Sequence, residues 1–388
     1  MRYEFLAPCH FGLESVLKKE INNLGYEITK VDNGRVFFKG DEETICRGNI
    51  FLRTAERVLL NVATFKATSF EELFEKTKDI PWENYIPKEG KFWVTKATSV
   101  NSKLFSPSDI QSIMKKAMVE RLKKSYKISW FPEDGDEYPV RVTIMKDVVT
   151  VGLDTTGESL HKRGYRKYVS KAPISETLAA ALIMLTPWNK ERILLDPFCG
   201  SGTFPIEAAQ IACNIAPGMN REFTSEKWTN IVEKKFWYSA VEEANDMIIR
   251  PTGLDIQAYD IDGDVIKAAM ENAKLAEVDE YIHFQKRPVN KLSHRKKYGF
   301  IITNPPYGER LEEKEALPKL YKEMADAFNK LDSWSYFVIT SYEDIEKLIG
   351  RKANRNRKVY NGMLKTYFYQ FMGPKPPKRS YLEERPDK

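Results

Sequence analysis

The chain has 388 residues, 42% of them hydrophobic and 30% charged, a mix that belongs to folded globular proteins and excludes the disordered and fibrous classes. The longest apolar stretch, 178–185, is far short of the ~20 residues that cross a bilayer, and the opening MRYEFLAPCH carries Glu4 and no apolar run behind its basic start. Neither a membrane span nor a secretory leader is predicted, and a cytoplasmic setting is expected. With 61 Lys and Arg against 55 Asp and Glu the net charge is +6, mild enough to permit many partners.

In chain order, Leu13, Val16, Leu17, Ile21 and Leu24 share one face of an amphipathic helix that Gly25 ends. Alternating and aromatic stretches at 36–38, 58–65, 92–97, 140–144 and 148–153 predict strands. Among them a helix is expected over 109–122, with Ile110, Ile113, Met114, Ala117 and Leu122 inward and Lys115, Lys116, Arg121, Lys123 and Lys124 around its outside and end. Strands mixed with few helices make the amino-terminal half α+β. From 172 the rhythm becomes strand, helix, strand: strands at 193–195, 258–261, 282–285, 300–303 and 336–340, helices at 203–212, 265–276 and 317–331. That alternation predicts a parallel sheet covered on both faces, with its ligand beyond the carboxyl ends of the strands. Residues 215–252 then form an insertion. Asn361-Gly362 predicts a closing hairpin, both residues taking positive φ, and 374–388 is expected to be a loose tail.

Cys9, Cys46, Cys199 and Cys213 form no CxxC pair, and His10, His161, His283 and His294 form no HExxH, so no metal site and no disulfide framework is signalled and reduced thiols are expected. Three stretches are free of acids: Lys162, Arg163, Arg166, Lys167 and Lys171; then Lys286, Arg287, Lys291, Arg295, Lys296 and Lys297; and a third from Arg351 through Lys352, Arg355, Arg357 and Lys358 to Arg379. Any one of them reads as a solvated loop. Three of them around one candidate site favour phosphate contact, because cations that neutralise a nucleic-acid backbone release its counterions.

Three strings carry the chemistry. In DPFCGSGTFPIEAA, 196–209, Gly200 and Gly202 let the backbone turn sharply into a helix that begins near Thr203 with unpaired N–H groups. The third glycine of a dinucleotide fingerprint is absent, which argues against a nicotinamide dehydrogenase, and Asp196 at the strand end suits a cofactor ammonium better than a pyrophosphate. In AYDID, Asp260 or Asp262 is placed either to accept from a ribose diol or to cap the next helix. In FIITNPPYGERL, 300–311, a strand delivers Asn304 to its carboxyl end, and Pro305 and Pro306 remove two backbone donors. That leaves acceptors. The Asn304 carbonyl and the Pro305 backbone carbonyl suit the two hydrogens of an exocyclic NH₂, and Tyr307 offers a ring for stacking the base at ~1–3 kcal/mol.

DPFCGSGT, AYDID and NPPYGERL resemble motifs I, II and IV of S-adenosylmethionine-dependent amino-methyltransferases, and APISETLAAALIML resembles motif X. A parallel sheet finished by an antiparallel hairpin is the pattern of that class I fold. CHFGLESVLKKEINNLG, LRTAERVLL and LHKRGYR extend the resemblance to THUMP-domain RNA methyltransferases, above all bacterial enzymes acting on N2 of guanine in large-subunit rRNA, a group often catalogued as N6-adenine-specific DNA methylases. The resemblance implies a Rossmann-like α/β class I methyltransferase domain over 161–373, preceded by a ferredoxin-like segment over 1–55 and a THUMP region over 56–160, with RNA as partner, either rRNA or an assembly intermediate. It implies a cofactor site of Asp196, Pro197, Phe198, Gly200, Gly202, Thr203, Asp260, Ile261 and Asn304, a catalytic group of Asn304, Pro305, Pro306 and Tyr307, and RNA contacts from Lys162, Arg163, Arg166 and Lys167. The acid that commonly meets the adenine amine in motif III has no counterpart in IHFQKRPVNKL, where Pro288 or Asn290 stands. Three rivals remain: N6 methylation of adenine in DNA, N2 methylation of guanine in tRNA, and a noncatalytic RNA-binding assembly factor.

Overall fold

The computed structural model describes residues 2–168, 173–308 and 311–377, without the side chains of 311–314. Lys171, Arg379, Glu309, Arg310 and the 378–388 part of the expected tail lie outside the described residues. The chain divides into two compact units: Met1–Gly164 with Asn214–Ile249, and Tyr165–Cys213 with Arg250–Lys388.

The first unit is built on one seven-stranded sheet. Its strands are β1 (Tyr3–Pro8), β2 (Glu27–Asp32), β3 (Arg35–Gly40), β4 (Leu59–Lys66), β5 (Lys91–Val100), β6 (Glu137–Met145) and β7 (Val148–Asp154), in the order β2-β3-β1-β4-β7-β6-β5. All neighbours are antiparallel except β5 and β6. Helices α1 (Glu14–Asn23), α2 (Glu43–Phe51), α3 (Phe70–Lys78) and α4 (Pro107–Tyr126) accompany it. Val16, Leu17 and Ile21 are the buried face of α1, as the spacing predicts, and Gly25 ends it at φ 87°. Two of these helices escape the hydrophobic pattern. One of them, α3, is set by its cap, where Ser69 accepts from the Glu72 N–H and Glu72 accepts from Thr68. Because β4 pairs with both β1 and β7, residues 1–55 and 56–160 share one sheet rather than folding as separate layers.

The second unit carries α5 (Glu176–Met184), β8 (Leu194–Asp196) and α6 (Thr203–Ala212) before the chain leaves it at Cys213. The excursion 214–249, with α7 (Lys234–Asp246), packs on the first unit. It coincides with the insertion expected over 215–252, and aromatic burial is what seats it on the first unit rather than within the 161–373 domain. Trp228 is fully buried, stacks on Tyr138 at 5.0 Å and donates its indole N–H to the Glu137 carbonyl. Arg47 forks onto Glu243 of α7 at 2.7 and 2.8 Å.

After the excursion come β9 (Ile256–Asp260), α8 (Gly263–Leu275), β10 (Ile282–Lys286), β11 (Phe300–Thr303), α9 (Leu311–Asn329), β12 (Ser335–Thr340), α10 (Ile345–Ile349), β13 (Arg355–Asn361) and β14 (Leu364–Phe371). The sheet order is β10-β9-β8-β11-β12-β14-β13, parallel through β12 and antiparallel from β14. This is the expected class I architecture. From β8 the order runs outward to β9 and β10 on one side and to β11 and β12 on the other, so the switch point lies between β8 and β11. Two details depart from expectation. Helix α9 begins at Leu311 and carries Pro318 in its interior rather than starting beside it. In the hairpin, Asn361 stays paired with Leu364 and only Gly362, at φ 60°, takes the left-handed region, so the turn is Gly362-Met363, the glycine-first pattern of a type II′ turn. Among the described residues no helix is long and apolar enough to cross a membrane.

Candidate active site

The carboxyl ends of β8, β9 and β11 bring Asp196, Asp260 and Asn304 to one edge of the sheet. Asp196 is 1% exposed. Its Oδ1 accepts from the Thr303 hydroxyl at 2.6 Å and from the Phe198 N–H at 3.1 Å, while Oδ2 has no hydrogen-bond partner among the described residues. Burial pushes its pKa up to about 7 against the pull of those two bonds, and Asp260 nearby pushes the same way. A desolvated carboxyl with one oxygen unclaimed is suited to receive a cation.

The glycine loop is tied to β9 through two consecutive N–H groups. Cys199 donates its N–H to the Tyr259 carbonyl at 2.9 Å, and Gly200 donates to Asp260 Oδ2 at 3.1 Å. Gly202 sits at φ 91° ahead of α6, and a Cβ there would come within 3.2 Å of Ala269 Cβ on α8 and of Ile206 Cδ1. The helix can approach its neighbour this closely only because the residue is glycine.

Asp260 and Asp262 differ in what they bond. Asp262 caps α8, accepting from Asp264 and Val265. Asp260 accepts from Asp262 N–H and Gly200 N–H through different oxygens, each with a second acceptor position, and burial raises its pKa as well. Ile261 beside it is 69% exposed, an apolar side chain left beside the polar group. On the motif III side, Asn290 gives its amide to Glu323 at 3.2 Å, and Pro288 precedes a short 3₁₀ turn. The carboxylate acceptors Asp196 and Asp260 and the exposed apolar Ile261 lie along a glycine turn that admits close approach, a set whose chemistry fits the ammonium, the diol and the ring of S-adenosylmethionine. Burial pushes the Cys199 thiol well up, away from the thiolate form, and all four cysteines are free and buried.

Asn304 follows β11 directly. Its Oδ1 accepts from the Tyr307 hydroxyl, and Asn361 Nδ2 lies 3.4 Å from the same hydroxyl. The Pro306 carbonyl accepts from Tyr321 at 3.2 Å, and Tyr321 is fully buried, stacked on Tyr342 at 4.3 Å and 2.6 Å from Thr340 Oγ1. Tyr321 thus anchors the Pro-Pro turn from below, a role that no sequence signal marks.

Two of the expected RNA contacts need correction. Arg163, in the first unit, is 2% exposed and donates to the carbonyls of Leu160 and Arg53. Arg166, in the second, pairs with buried Glu176 at 3.0 Å and donates to the Ile174 carbonyl and to Thr203 Oγ1 at 2.9 and 2.7 Å. Arg166 therefore fastens the motif X segment to the start of α6. Lys162 and Lys167 are exposed as expected. In the 286–297 stretch much of the charge is also spent internally: Arg287 folds onto the Lys291 carbonyl, Lys296 pairs with Asp255 and Lys297 with Asp332. Sequence reasoning also missed Asn272, fully buried in α8, which bonds the Lys167 and Tyr168 N–H groups and the Tyr168 and Ser201 carbonyls.

Comparison with known proteins agrees with this geometry. Residues 163–370 match the family described as RMKL-like, methyltransferase domain; residues 4–59 match the RlmL ferredoxin-like domain and 67–154 the THUMP domain. The chain is 48% identical over 384 residues to "Putative RNA methyltransferase YpsC" of Bacillus subtilis (strain 168), covering 98% of this chain and 99% of that one. It is 33% identical over 390 residues to "Ribosomal RNA large subunit methyltransferase K/L" of Cellvibrio japonicus (strain Ueda107), covering 96% of this chain and spanning 51% of that longer protein. Among solved structures, "SMU.472, a putative methyltransferase complexed with SAH" superposes with a TM-score of 0.90 at 41% identity, covering 97% of this chain and 99% of its own. The chain belongs to the RMKL-like methyltransferase family, with ferredoxin-like and THUMP domains ahead of the catalytic sheet and S-adenosylmethionine as its cofactor.

Proposed function

We propose that this chain methylates an exocyclic purine amine in RNA, N2 of guanine in large-subunit ribosomal RNA, on a base splayed out of its stack. The observation that carries the reading is the placement of a turn with two backbone donors removed beside the cofactor loop: Asn304 stands one residue beyond Thr303, and Thr303 bonds directly to Asp196 at the mouth of the glycine turn. The THUMP match and the names of the relatives support RNA, and the K/L name supports the large ribosomal subunit.

When bound, S-adenosylmethionine supplies an electrophilic methyl on a sulfonium. The chain's residues do the rest. Asp196 Oδ2 takes the ammonium, Asp260 the ribose hydroxyls and Ile261 the adenine face. Asn304 Oδ1 and the Pro305 carbonyl accept the two amine hydrogens, which draws the nitrogen lone pair out of conjugation with the ring and leaves it free to attack in line. An amide is not basic at neutral pH, so the amine proton leaves to solvent after transfer, and no strong base is required. The amine of a paired guanine is buried in the helix, so the base must leave its stack, with exposed Lys162 and Lys167 available for phosphates.

The test is mass spectrometry of nucleosides from ribosomal and transfer RNA of cells with and without the gene, complemented by wild type or Asn304→Ala. Loss of N2-methylguanosine from large-subunit RNA, not restored by Asn304→Ala protein that still binds S-adenosylmethionine, is the expected result. Loss from tRNA, or loss of N6-methyl-2′-deoxyadenosine when DNA from the same cells is digested alongside, would redirect the substrate. Unchanged nucleosides together with no cofactor binding would favour the noncatalytic assembly factor.

A further inference from the structure

The acceptor at the centre of the proposed site is already in use. Asn304 Oδ1 receives the Tyr307 hydroxyl proton, and Tyr307 is in turn approached by Nδ2 of Asn361 at 3.4 Å. Asn361 is the last residue of β13, at the tip of the closing hairpin, and its position there is a consequence of register. Thr340, the last residue of β12, pairs with Tyr367 of β14, so the hairpin continues past the carboxyl ends of the parallel strands, to the edge where Asn304 stands.

The chemistry of these three groups sets a direction. An amide NH₂ only donates, a phenol donates one proton and accepts, and a carbonyl only accepts. With Asn361 donating to it, the Tyr307 hydroxyl sends its own proton on to Asn304, and this holds the Asn304 carboxamide with oxygen rather than nitrogen at that point. A carboxamide turned by 180° has almost the same shape, but it would aim its NH₂ where the purine amine must enter, setting donor against donor and leaving both unpaired. We propose that Asn361 is a positioning residue: acting through the Tyr307 hydroxyl, it keeps the Asn304 oxygen facing the site, with the second lone pair open to the incoming amine. This rests on the reading of Asn304 as the amine acceptor. It assigns to the terminal hairpin, which contributes no residue to the cofactor site, control over the orientation of the catalytic amide. It also separates two properties of Tyr307, the ring that stacks the base and the hydroxyl that orders Asn304.

The test uses the full chain, tritiated S-adenosylmethionine and total RNA from cells lacking the gene, with wild type, Asn361→Asp, Tyr307→Phe and the double variant. Asn361→Asp is nearly isosteric and replaces the donor by an acceptor, so the Tyr307 proton turns away from Asn304. We expect kcat to fall about tenfold or more, the scale of one lost hydrogen bond, with KM for S-adenosylmethionine and the melting temperature unchanged. Asn361→Gln, which keeps an amide donor, should lose less. Tyr307→Phe keeps the ring and cuts the relay, so the double variant should be no slower than Tyr307→Phe alone, the non-additivity expected of residues acting in series. In protein free of RNA, the side-chain amide resonances of Asn304 should move on Asn361→Asp and not when the same change is made in the Tyr307→Phe background. Losses that multiply in the double variant, or a kcat for Asn361→Asp within about twofold of wild type, would overturn the proposal. Asn304→Ala separates the two failures: if it is inactive while the losses multiply, only the relay is wrong, and if it is fully active, the amine-acceptor reading fails as well.

Discussion

Replacing Asp196 by Asn should stabilise the cofactor-free protein while destroying its purpose. Asp196 is buried, and its pKa rises from 3.8 to about 7 chiefly because burial penalises the charged form. An acid whose folded pKa lies above its unfolded value binds its proton more tightly when folded. Its contribution to stability is therefore intact below about pH 4 and drains away as pH rises to about 7, beyond which the loss is complete. A shift of this size corresponds to about 4 kcal/mol in all at 1.36 kcal/mol per unit, of which about 2.5 kcal/mol falls between pH 5 and pH 8. Asn keeps an acceptor for Thr303 Oγ1 and the Phe198 N–H without the charge. Hydrogen exchange of peptides spanning β8 and β11, in the absence of cofactor, measures the stability of this unit alone. Asp196→Asn should gain on wild type by about 2.5 kcal/mol between pH 5 and pH 8, and calorimetry should show its affinity for S-adenosylmethionine reduced at least about tenfold, since the ammonium loses its counter-charge. If the variant were less stable than wild type at pH 8, or the gap between them were the same at both pH values, the assignment of Asp196 as a carboxyl held under desolvation strain would be wrong.

Other consequences are simpler. Arg166→Ala leaves Glu176 buried without its cation and should cost about 3 kcal/mol or more, with loss of cofactor binding and unchanged RNA affinity per folded molecule; weakened RNA binding with intact cofactor affinity would restore the surface role first expected of it. Lys167→Ala should do the reverse, lowering the slope of log affinity against log salt by about one, read by filter binding over a salt series. Gly202→Ala meets both the positive φ and the 3.2 Å approach to Ala269, and a loss of about 1–3 kcal/mol in chemical denaturation is expected. Trp228→Ala should lower the stability of the first unit by about 3–5 kcal/mol and leave exchange in the second unit unchanged.

The chemistry of the site was legible in the sequence because it is local. The strand 300–303 and the helix 203–212 appear with the predicted bounds, since an apolar run that stops at Asn-Pro-Pro, or a glycine turn that starts a helix, needs nothing from elsewhere in the chain to define it. The ordering of the catalytic sheet was equally accessible, because strand and helix alternation leaves few ways to cover a parallel sheet. Charge was where local reading failed. Arg163 and Arg166 look like Lys162 and Lys167 in a string of letters, yet two face carbonyls or a buried carboxylate and two face water.

What the sequence determined alone, then, was a set of short-range devices: the acid at a strand end, the glycine turn, the donor-free Asn-Pro-Pro and the helices whose apolar faces repeat. Only the tertiary structure decided which distant residues complete them. Thr303 holds Asp196, Tyr321 holds Pro306, Asn361 reaches Tyr307, and residues 214–249 return to the first unit. The physical reason is that a hydrogen bond or an aromatic stack depends on where two side chains end in space, and strand register and sheet order, rather than sequence distance, put them there.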